Sequence, residues 1–195
     1  MQLQQRKAFR FAITEIAFTM IKRIILVLEI IRLVLSNKLV TNKMNDYNLK
    51  SIKKEFKAKG IFYTPNETAL LMKSFIDIEV NEVYDPTCGD GSLLSVFDDD
   101  VKKYGQEINN HQLEEAKKRL KNFYGYCGDT LKDPAFNDKK FKCIVANPPF
   151  SIAWEPPIFN GFFTDDRFKN VPALPPKSKA DYAFILHIIH YLASD

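Results

Sequence analysis

The sequence predicts an α/β domain with a mostly parallel sheet, and two observations support this fold class. Short apolar runs typical of buried strands alternate with segments of helical periodicity. Each of four successive runs is followed by a hydrogen-bond acceptor, namely Asp85, Glu107, Asp129 and Asn147. Parallel strands bring their carboxyl ends to one edge of a sheet, where open α/β folds bind their ligands. The sequence therefore predicts a binding site at that edge.

The first strand, Glu82–Asp85, leads into a turn that contains Gly89 and Gly91. Two glycines separated by one residue form a tight turn that a ligand can approach closely. A carboxylate at the strand end would repel phosphate but attract a positively charged amino group. The alternative is an ordinary turn between a strand and a helix.

The second and third strands are predicted at residues 102–107 and 123–127. Glu107 follows Asp85 by 22 residues, which matches the spacing at which a second-strand carboxylate binds ribose hydroxyls in Rossmann-like folds. Asp129, after the third strand, can accept a hydrogen bond from the amino group of an adenine ring. A helix cap is the simpler interpretation of Asp129 taken alone.

Helical periodicity predicts three helices that flank these strands. The helix at about 110–121 has an apolar face, and we expect i,i+4 ion pairs between Glu114 and Lys118 and between Glu115 and Arg119. Thr64-Pro65-Asn66-Glu67 has the pattern of a capping box with proline at the first helical position. Ser178 and Asp181 suggest a similar cap for a helix from about Ala180, which is apolar enough to pack on the sheet.

The fourth apolar run, at residues 142–146, is followed by Asn147, Pro148, Pro149 and Phe150. The Asn147 side chain can accept a hydrogen bond from a planar amino group, and Pro148 offers a carbonyl without a competing N–H. Phe150 offers a face on which a base can stack. This combination suits the amino group of an adenine. A simple strand-end turn is the alternative, since two prolines after an asparagine also break local structure.

In combination, these motifs resemble those of N6-adenine DNA methyltransferases, most closely the modification subunit of type I restriction-modification systems. The motifs that carry the resemblance occur in order at residues 85–94, 105–110, 128–129 and 147–150. Further similar segments lie at residues 60–66, 165–168 and 176–187, and the similarity covers roughly residues 57–195.

The resemblance implies a Rossmann-like fold that uses S-adenosylmethionine to methylate an adenine flipped out of DNA. The residues implied to bind the cofactor are Ile61, Phe62, Tyr63, Thr64, Pro65, Asn66, Asp85, Gly89, Asp90, Gly91, Ser92, Glu107 and Asp129. Those implied to hold the target adenine are Asn147, Pro148, Pro149 and Phe150. The resemblance also implies a specificity subunit as a partner and allows a restriction subunit as a further one, and the protein is expected to be cytoplasmic.

The sequence departs from the family pattern at both ends. The family's fold continues with three more strands, so we expect an incomplete methyltransferase domain at residues 57–195, with an unpaired edge on the fourth strand. Residues 1–56 are expected to form a basic helical extension. Residues 1–60 contain 13 Lys and Arg against 4 Asp and Glu, whereas residues 61–195 contain 15 against 20.

The apolar stretch Ala12 to Leu35 within this extension is interrupted by charged residues. It therefore lacks the uncharged run of roughly 18–20 residues that a membrane span requires, and it does not resemble a signal peptide. A buried or partner-facing helix is favoured, and a membrane-surface helix is the alternative. The basic segment Lys50 to Lys59 is interpreted either as a phosphate contact or as a solvated helix face.

The remaining candidate residues are three cysteines, two histidines and the aromatic residues of a long loop. Cys88, Cys127 and Cys143 lack metal-binding spacing and fit reduced thiols. His187 and His190 are interpreted as core or surface residues rather than metal ligands. The loop at residues 151–179 offers four aromatic side chains for contact with DNA or a partner, which are Trp154, Phe159, Phe162 and Phe163.

Two other functions remain open at the level of sequence. The first is an inactive or complementing fragment of a modification subunit, which would act only as a cofactor-binding or interaction module. The second is an amino-group methyltransferase that acts on protein or RNA, because an Asn-Pro-Pro-aromatic turn also serves glutamine or guanine methylation.

Overall fold

The computed structural model describes residues 64–149, 152–156, 158–159, 162–169 and 175–193. Its helices are α1 (Asn66–Ser74), α2 (Asn110–Arg119) and α3 (Asp181–Tyr191), with a short 3-10 turn at Leu94–Val96. Its strands are β1 (Glu82–Asp85), β2 (Lys102–Glu107), β3 (Phe123–Cys127), β4 (Cys143–Ile144), β5 (Ile158–Phe159) and β6 (Phe162–Phe163). The predicted extension at residues 1–56 lies outside the described part of the chain.

Four of these strands form the predicted parallel sheet, in the order β3-β2-β1-β4. Strand β1 pairs with β2 through Tyr84 and Tyr104, and with β4 through Tyr84 and Ile144. All three neighbouring pairs run parallel. The chain proceeds from β1 outward to β3 and then returns to the other side of β1. The carboxyl end of β1 therefore lies at the point where the strand order reverses, which is the usual ligand site of such sheets.

The fourth strand is shorter than the predicted run at residues 142–146. Regular pairing covers only Cys143 and Ile144, and the N–H of Val145 makes one further bond to the carbonyl of Tyr84 at 2.9 Å. Pro148 and Pro149 have no N–H to donate, so the chain leaves the sheet as it approaches them.

The outer side of the β4 segment is not wholly unpaired, contrary to the prediction of an open edge. Phe141 forms a parallel bridge with Leu192, just after α3. The N–H of Phe141 donates to the carbonyl of Tyr191 at 2.8 Å, and the N–H of Ala193 donates to the carbonyl of Phe141 at 3.0 Å. The residues that follow α3 thus begin to cover the sheet at this position.

Both predicted helix caps are wrong. Helix α1 has Pro65 at its N-cap and no side-chain cap hydrogen bond, so Thr64 lies one residue outside it. Helix α3 starts after Ala180, also without a side-chain cap, and Ser178 does not serve it. Ala180 is fully buried and its N–H bonds to the carbonyl of Ile152 at 2.8 Å, so tertiary packing sets the start of α3.

Helix α2 has a side-chain cap that the pattern did not predict. The Asn109 side-chain oxygen accepts from the N–H groups of His111 and Gln112. The capping side chain follows Glu107 closely, so the cap also fixes where the chain turns away from β2.

The ion pairs on α2 also differ from the prediction. Lys117 pairs with Glu114 at 2.8 Å and Lys118 with Glu115 at 2.7 Å, three residues apart rather than four. Arg119, expected to pair with Glu115, contacts Asp90 instead.

An aromatic cluster lies in the core of the sheet. Tyr84, Tyr104, Phe141 and Tyr191 are all buried, and the rings of Tyr84 and Phe141 stack with centroids 4.8 Å apart. His187 is completely buried beside this cluster, and its Nε2 lies 3.0 Å from the Tyr84 hydroxyl. The prediction that His187 belongs to the core is confirmed.

Arg167 joins the loop before α3 to the rest of the domain. Its guanidinium is buried and donates to the carbonyls of Thr130 and Leu131, both at 2.7 Å, and contacts His187 Nδ1 at 2.9 Å. It also forms an ion pair with Asp165 at 2.5 Å. Burial alone would raise the pKa of Asp165, but the hydrogen bonds and charge of Arg167 outweigh that effect and hold it below its ordinary value.

Trp154 does not have the free surface that the prediction of a DNA or partner contact requires. It is buried, its ring packs against Phe168 with centroids 5.2 Å apart, and its indole N–H donates to the carbonyl of Pro176 at 3.1 Å. That prediction is therefore wrong for Trp154. The side chains of Phe159, Phe162 and Phe163 lie outside the described part of the structure, which gives only the backbone pairing of the β5–β6 hairpin.

Within the described ranges, no helix is both long and apolar enough to span a membrane.

We expect Arg167→Met to lower the free energy of unfolding by roughly 3 kcal/mol, because it leaves the partly buried Asp165 carboxylate without its cationic partner and two buried carbonyls without their donor. Chemical denaturation followed by circular dichroism measures this loss. The matched control is Lys169→Ala, since Lys169 is exposed and forms an ion pair with the exposed Asp166. That control should change stability by less than about 0.5 kcal/mol. Equal losses of stability in the two variants would contradict the conclusion that the buried contacts of Arg167 stabilise the fold.

Candidate functional site

The structure brings the predicted polar residues to one edge of the sheet. Asp85 ends β1 and Glu107 ends β2, while Asp129 and Asn147 follow β3 and β4 within a few residues. In the register, Asp85 lies opposite Gly105, so Glu107 reaches two residues beyond Asp85. This edge is therefore the candidate site.

The turn after β1 depends on its two glycines for different reasons. Both have positive φ, +54° at Gly89 and +78° at Gly91, a conformation that other residues rarely adopt. A Cβ atom added to Gly91 would lie 2.7 Å from Leu120 Cδ1, so this glycine also allows the turn to pack on the end of α2. A Cβ atom added to Gly89 would meet no heavy atom within 4 Å. Gly89 therefore faces open space in which a ligand can approach the backbone.

Glu107 fixes the glycine turn to the end of β2. Its Oε2 accepts from the N–H of Gly89 at 2.9 Å, and its Oε1 accepts from the N–H of Asn109 at 2.8 Å. Each carboxylate oxygen has a second lone pair, so Glu107 can accept further hydrogen bonds from a ligand hydroxyl.

Asp85 is a buried carboxylate, with an exposed fraction of 1%. Its pKa is raised to about 7, chiefly by burial and further by the nearby charge of Glu107, while the hydrogen bond from the Thr87 N–H partly opposes the rise. No lysine or arginine within the described ranges forms an ion pair with Asp85. A positively charged ligand group placed here would offset the cost of burying this charge.

Asp90 and Ser92 are held by a contact that the sequence did not reveal. Arg119 of α2 pairs with Asp90 Oδ2 at 2.8 Å and donates to Ser92 Oγ at 2.5 Å. The Ser92 hydroxyl in turn donates to Asp90 Oδ1 at 2.6 Å. These two side chains, predicted to bind the cofactor, therefore clamp the glycine turn onto α2.

Asp129 caps the turn that follows β3. Its Oδ1 accepts from the N–H of Leu131 at 2.9 Å and of Lys132 at 3.4 Å, which is the simpler of the two roles predicted for it. The neighbouring Thr130 hydroxyl donates to the carbonyl of Pro86, so the turns after β1 and β3 are joined directly. The Asp129 carboxylate lies half-buried at the edge and retains acceptor capacity.

Asn147 contacts a residue far away in sequence. Its Nδ2 donates to Thr64 Oγ1 at 3.3 Å across 83 residues of chain. The side-chain oxygen lies at the other end of this amide and can act as an acceptor. Pro148 and Pro149 are half-buried beside it, while Pro65 and Asn66 are exposed at the start of α1. The other predicted site residues, Ile61, Phe62, Tyr63 and Phe150, lie outside the described part of the chain.

One candidate contact was missed by sequence reasoning. Ile108 directly follows Glu107 and is 68% exposed, the most exposed large apolar side chain among the described residues. An exposed apolar side chain next to a strand-end carboxylate suits the flat face of an adenine ring. The signal in the sequence was an apolar residue directly after the charged residue that ends the strand.

Comparison with known proteins shows what this arrangement is similar to. The family model described as N-6 DNA Methylase matches residues 40–195. A methylase subunit of the type I restriction enzyme MpnII from Mycoplasma pneumoniae is 33% identical over 165 residues, which covers 71% of this chain and 30% of the relative. The methylase subunit of the type I restriction enzyme MjaIX from Methanocaldococcus jannaschii is 29% identical, covering 71% of this chain and 28% of that protein.

A solved structure agrees with these relatives. The type I restriction-modification methyltransferase subunit from Streptococcus thermophilus superposes with a TM-score of 0.60 at 34% identity, covering 69% of this chain and 32% of that chain. The present chain thus spans about a third or less of the length of the relatives that it matches. The α/β methyltransferase fold predicted from the sequence is confirmed, and the chain belongs to the N-6 DNA methylase family.

Proposed function

We propose that this chain carries the cofactor-binding and adenine-binding edge of a DNA adenine N6-methyltransferase, within the modification subunit of a type I restriction-modification system. The observation that carries the proposal is the shared edge. There the glycine turn, the buried Asp85 and the acceptor oxygen of Asn147 all lie at the carboxyl ends of neighbouring strands. The membership of the N-6 DNA methylase family supports the same reaction.

The residues present fit S-adenosylmethionine, whose sulfonium centre supplies a methyl group for transfer. Asp85 would bind the amino group, since it is a buried carboxylate without a cationic partner among the described residues. The open side of Gly89 lets the backbone lie close to the cofactor. Glu107 would accept hydrogen bonds from the ribose hydroxyls, and Asp129 and Ile108 would contact the adenine ring.

The target adenine would be held at the other end of the same edge. Asn147 Oδ1 and the Pro148 carbonyl would accept both hydrogens of the N6 amino group, which orients the nitrogen lone pair toward the methyl donor. Phe150 would stack on the base. Two acceptors also stabilise the positive charge that develops on this nitrogen during transfer. No covalent nucleophile is needed on the protein for this chemistry.

Charge distribution bears on how DNA would be bound. Residues 61–195, which contain the whole site, have 15 Lys and Arg against 20 Asp and Glu. A net negative surface does not attract the phosphate backbone. We therefore propose that residues 1–60, with 13 Lys and Arg against 4 Asp and Glu, or a partner specificity subunit, provide the phosphate contacts.

The other proposed associations follow from the type I relatives. A specificity subunit would choose the DNA sequence, a restriction subunit would complete the system, and the complex would act in the cytoplasm. The two alternatives, a non-catalytic fragment and a methyltransferase for protein or RNA, are not favoured by any described contact over DNA methylation.

We expect saturable binding of S-adenosylmethionine by the purified chain, measured by isothermal titration calorimetry. Glu107→Ala should weaken the affinity about 10- to 100-fold, roughly what the loss of one hydrogen bond to a charged group costs. Glu107→Gln keeps an acceptor for the Gly89 N–H and should weaken binding less. The control is Glu114→Ala, which removes only an exposed ion pair on α2. A folded wild-type chain that binds no cofactor would overturn the proposal.

The raised pKa of Asp85, about 7, predicts a pH effect on binding. The positively charged amino group of S-adenosylmethionine binds the ionised form of the Asp85 carboxylate. The affinity should therefore rise roughly tenfold between pH 6 and pH 7.5, and a proton should be released on binding. Asp85→Asn should abolish both the binding and its pH dependence. A flat affinity profile in the wild-type chain would show that Asp85 does not titrate with the ligand.

The same raised pKa predicts that the stability of the folded chain decreases as pH rises, whereas its affinity for the cofactor increases. The folded state holds the proton of Asp85 up to about pH 7, whereas the unfolded chain releases it near the ordinary value of 3.8, so this group's contribution to stability falls as pH rises between those values. Asp85→Asn should therefore raise the melting temperature of the free chain at pH 8, by about 2–4 °C per kcal/mol gained. Calorimetric scans at pH 5 and pH 8 measure the difference, and a lower melting temperature of this variant at pH 8 would contradict it.

A further inference from the structure

We infer that Thr64 is a positioning residue that anchors the Asn147 side chain, with the amide nitrogen toward Thr64 and the amide oxygen available to a ligand. The inference rests on the proposed function, because it gives Asn147 the task of accepting a hydrogen bond from the target adenine. It assigns to Thr64 a role distinct from the cofactor contact that the family resemblance implies.

The Thr64 hydroxyl does not make the helix-capping hydrogen bond that the local sequence predicts. The pattern at residues 64–67 predicts that this hydroxyl caps α1, yet the N-cap is Pro65 and no side chain caps the helix. The hydroxyl instead accepts from Asn147 Nδ2 at 3.3 Å. Functional residues are often found where a long-range contact replaces the interaction that the local sequence favours, which here is helix capping.

The direction of this hydrogen bond determines the chemistry of Asn147. A side-chain amide has one acceptor oxygen and one donor nitrogen, and the two are nearly equal in shape. Because the nitrogen faces Thr64, the oxygen is the end left for a ligand. The reversed amide would present N–H groups to the N–H groups of an adenine, which repel one another. In the structure the Thr64 hydroxyl acts as the acceptor and holds Asn147 in the orientation that can bind an amino group, and loss of the hydroxyl would leave the amide without this anchor.

Thr64 is itself held firmly enough to serve this role. It is 9% exposed and directly precedes α1. Near the other end of α1, Lys73 donates to the carbonyl of Val96 at 2.7 Å and to Asp98 Oδ1 at 3.2 Å. The helix is thus tied to the segment that follows the glycine turn, so the partner of Asn147 is fixed relative to the rest of the site.

The first test uses the side-chain amide signals of Asn147 in the nuclear magnetic resonance spectrum of the ¹⁵N-labelled full chain, identified by their disappearance in Asn147→Ala. Thr64→Val removes the hydroxyl with little change of shape and should shift these signals and speed their exchange with water. Thr64→Ser retains the hydroxyl and should leave them near their wild-type positions. Thr68→Val, which removes a hydroxyl on the first turn of α1, is the matched control. Unchanged Asn147 signals in Thr64→Val would overturn the inference.

The second test measures recognition of the amino group. Fluorescence anisotropy gives the affinity for a single-stranded oligonucleotide with one adenine and for the same oligonucleotide with purine, which lacks the amino group, both with sinefungin present. Thr64→Val should reduce the preference for adenine roughly fivefold, about the value of one hydrogen bond. A purely structural role would weaken both affinities equally and leave the preference unchanged, which would also overturn the inference.

These readouts separate the inference from the proposed function. Absence of cofactor binding in the wild-type chain contradicts the proposed function, whereas the resonance experiment still decides whether Thr64 orients Asn147. Cofactor binding together with an adenine preference that Thr64→Val does not alter contradicts only the inference.

Discussion

The hydrogen bonding of β1 on both sides is the constraint on which the rest of the domain depends. Parallel pairing fixes its register against β2 along its whole length and against β4 at Val83 and Tyr84, and a shift would break both ladders at once. The same register places Tyr84 in the aromatic cluster and Asp85 at the edge of the sheet. It also brings the following glycine turn within reach of the Glu107 carboxylate at the end of β2. One buried strand thus links the core to the site.

Buried polar contacts extend this order to the part of the chain that follows Asn147. Tyr84 contacts His187 of α3, and His187 contacts Arg167 in the preceding loop. Burial, reinforced by the charge of Arg167, lowers the pKa of His187 to about 3, so its ring is neutral and two positive charges do not face each other. No buried side-chain nitrogen or oxygen among the described residues lacks a hydrogen-bond partner. A fully satisfied network of this kind specifies one packing, because any other would leave a buried polar group unpaired.

Features that depend on neighbouring residues could be predicted from the sequence. Features that depend on contacts between distant residues could not. Apolar runs and glycine spacing predicted the strands and the turn, since these patterns act locally. The predicted caps at Thr64 and Ser178 were wrong, because the hydroxyl of Thr64 bonds to Asn147 and the burial of Ala180 sets the start of α3. Arg119 likewise forms its ion pair with Asp90, 29 positions away, rather than with its helical neighbour. In each case a tertiary contact overrode a preference worth only about 1 kcal/mol.

The candidate site has a consistent chemical bias toward accepting hydrogen bonds. Arg119, which contacts the glycine turn, forms an ion pair with Asp90 and a hydrogen bond to Ser92, and so helps to hold the turn in place. What remains at the edge is the carboxylates of Asp85, Glu107 and Asp129 and, through the contact with Thr64, the oxygen rather than the nitrogen of Asn147. Such an edge favours ligands that carry hydrogen-bond donors, and its negative charge disfavours phosphate groups. An ammonium group, ribose hydroxyls and the amino groups of two adenines are all donors, so the same bias fits the binding that we propose for both the methyl donor and the base that receives the methyl group.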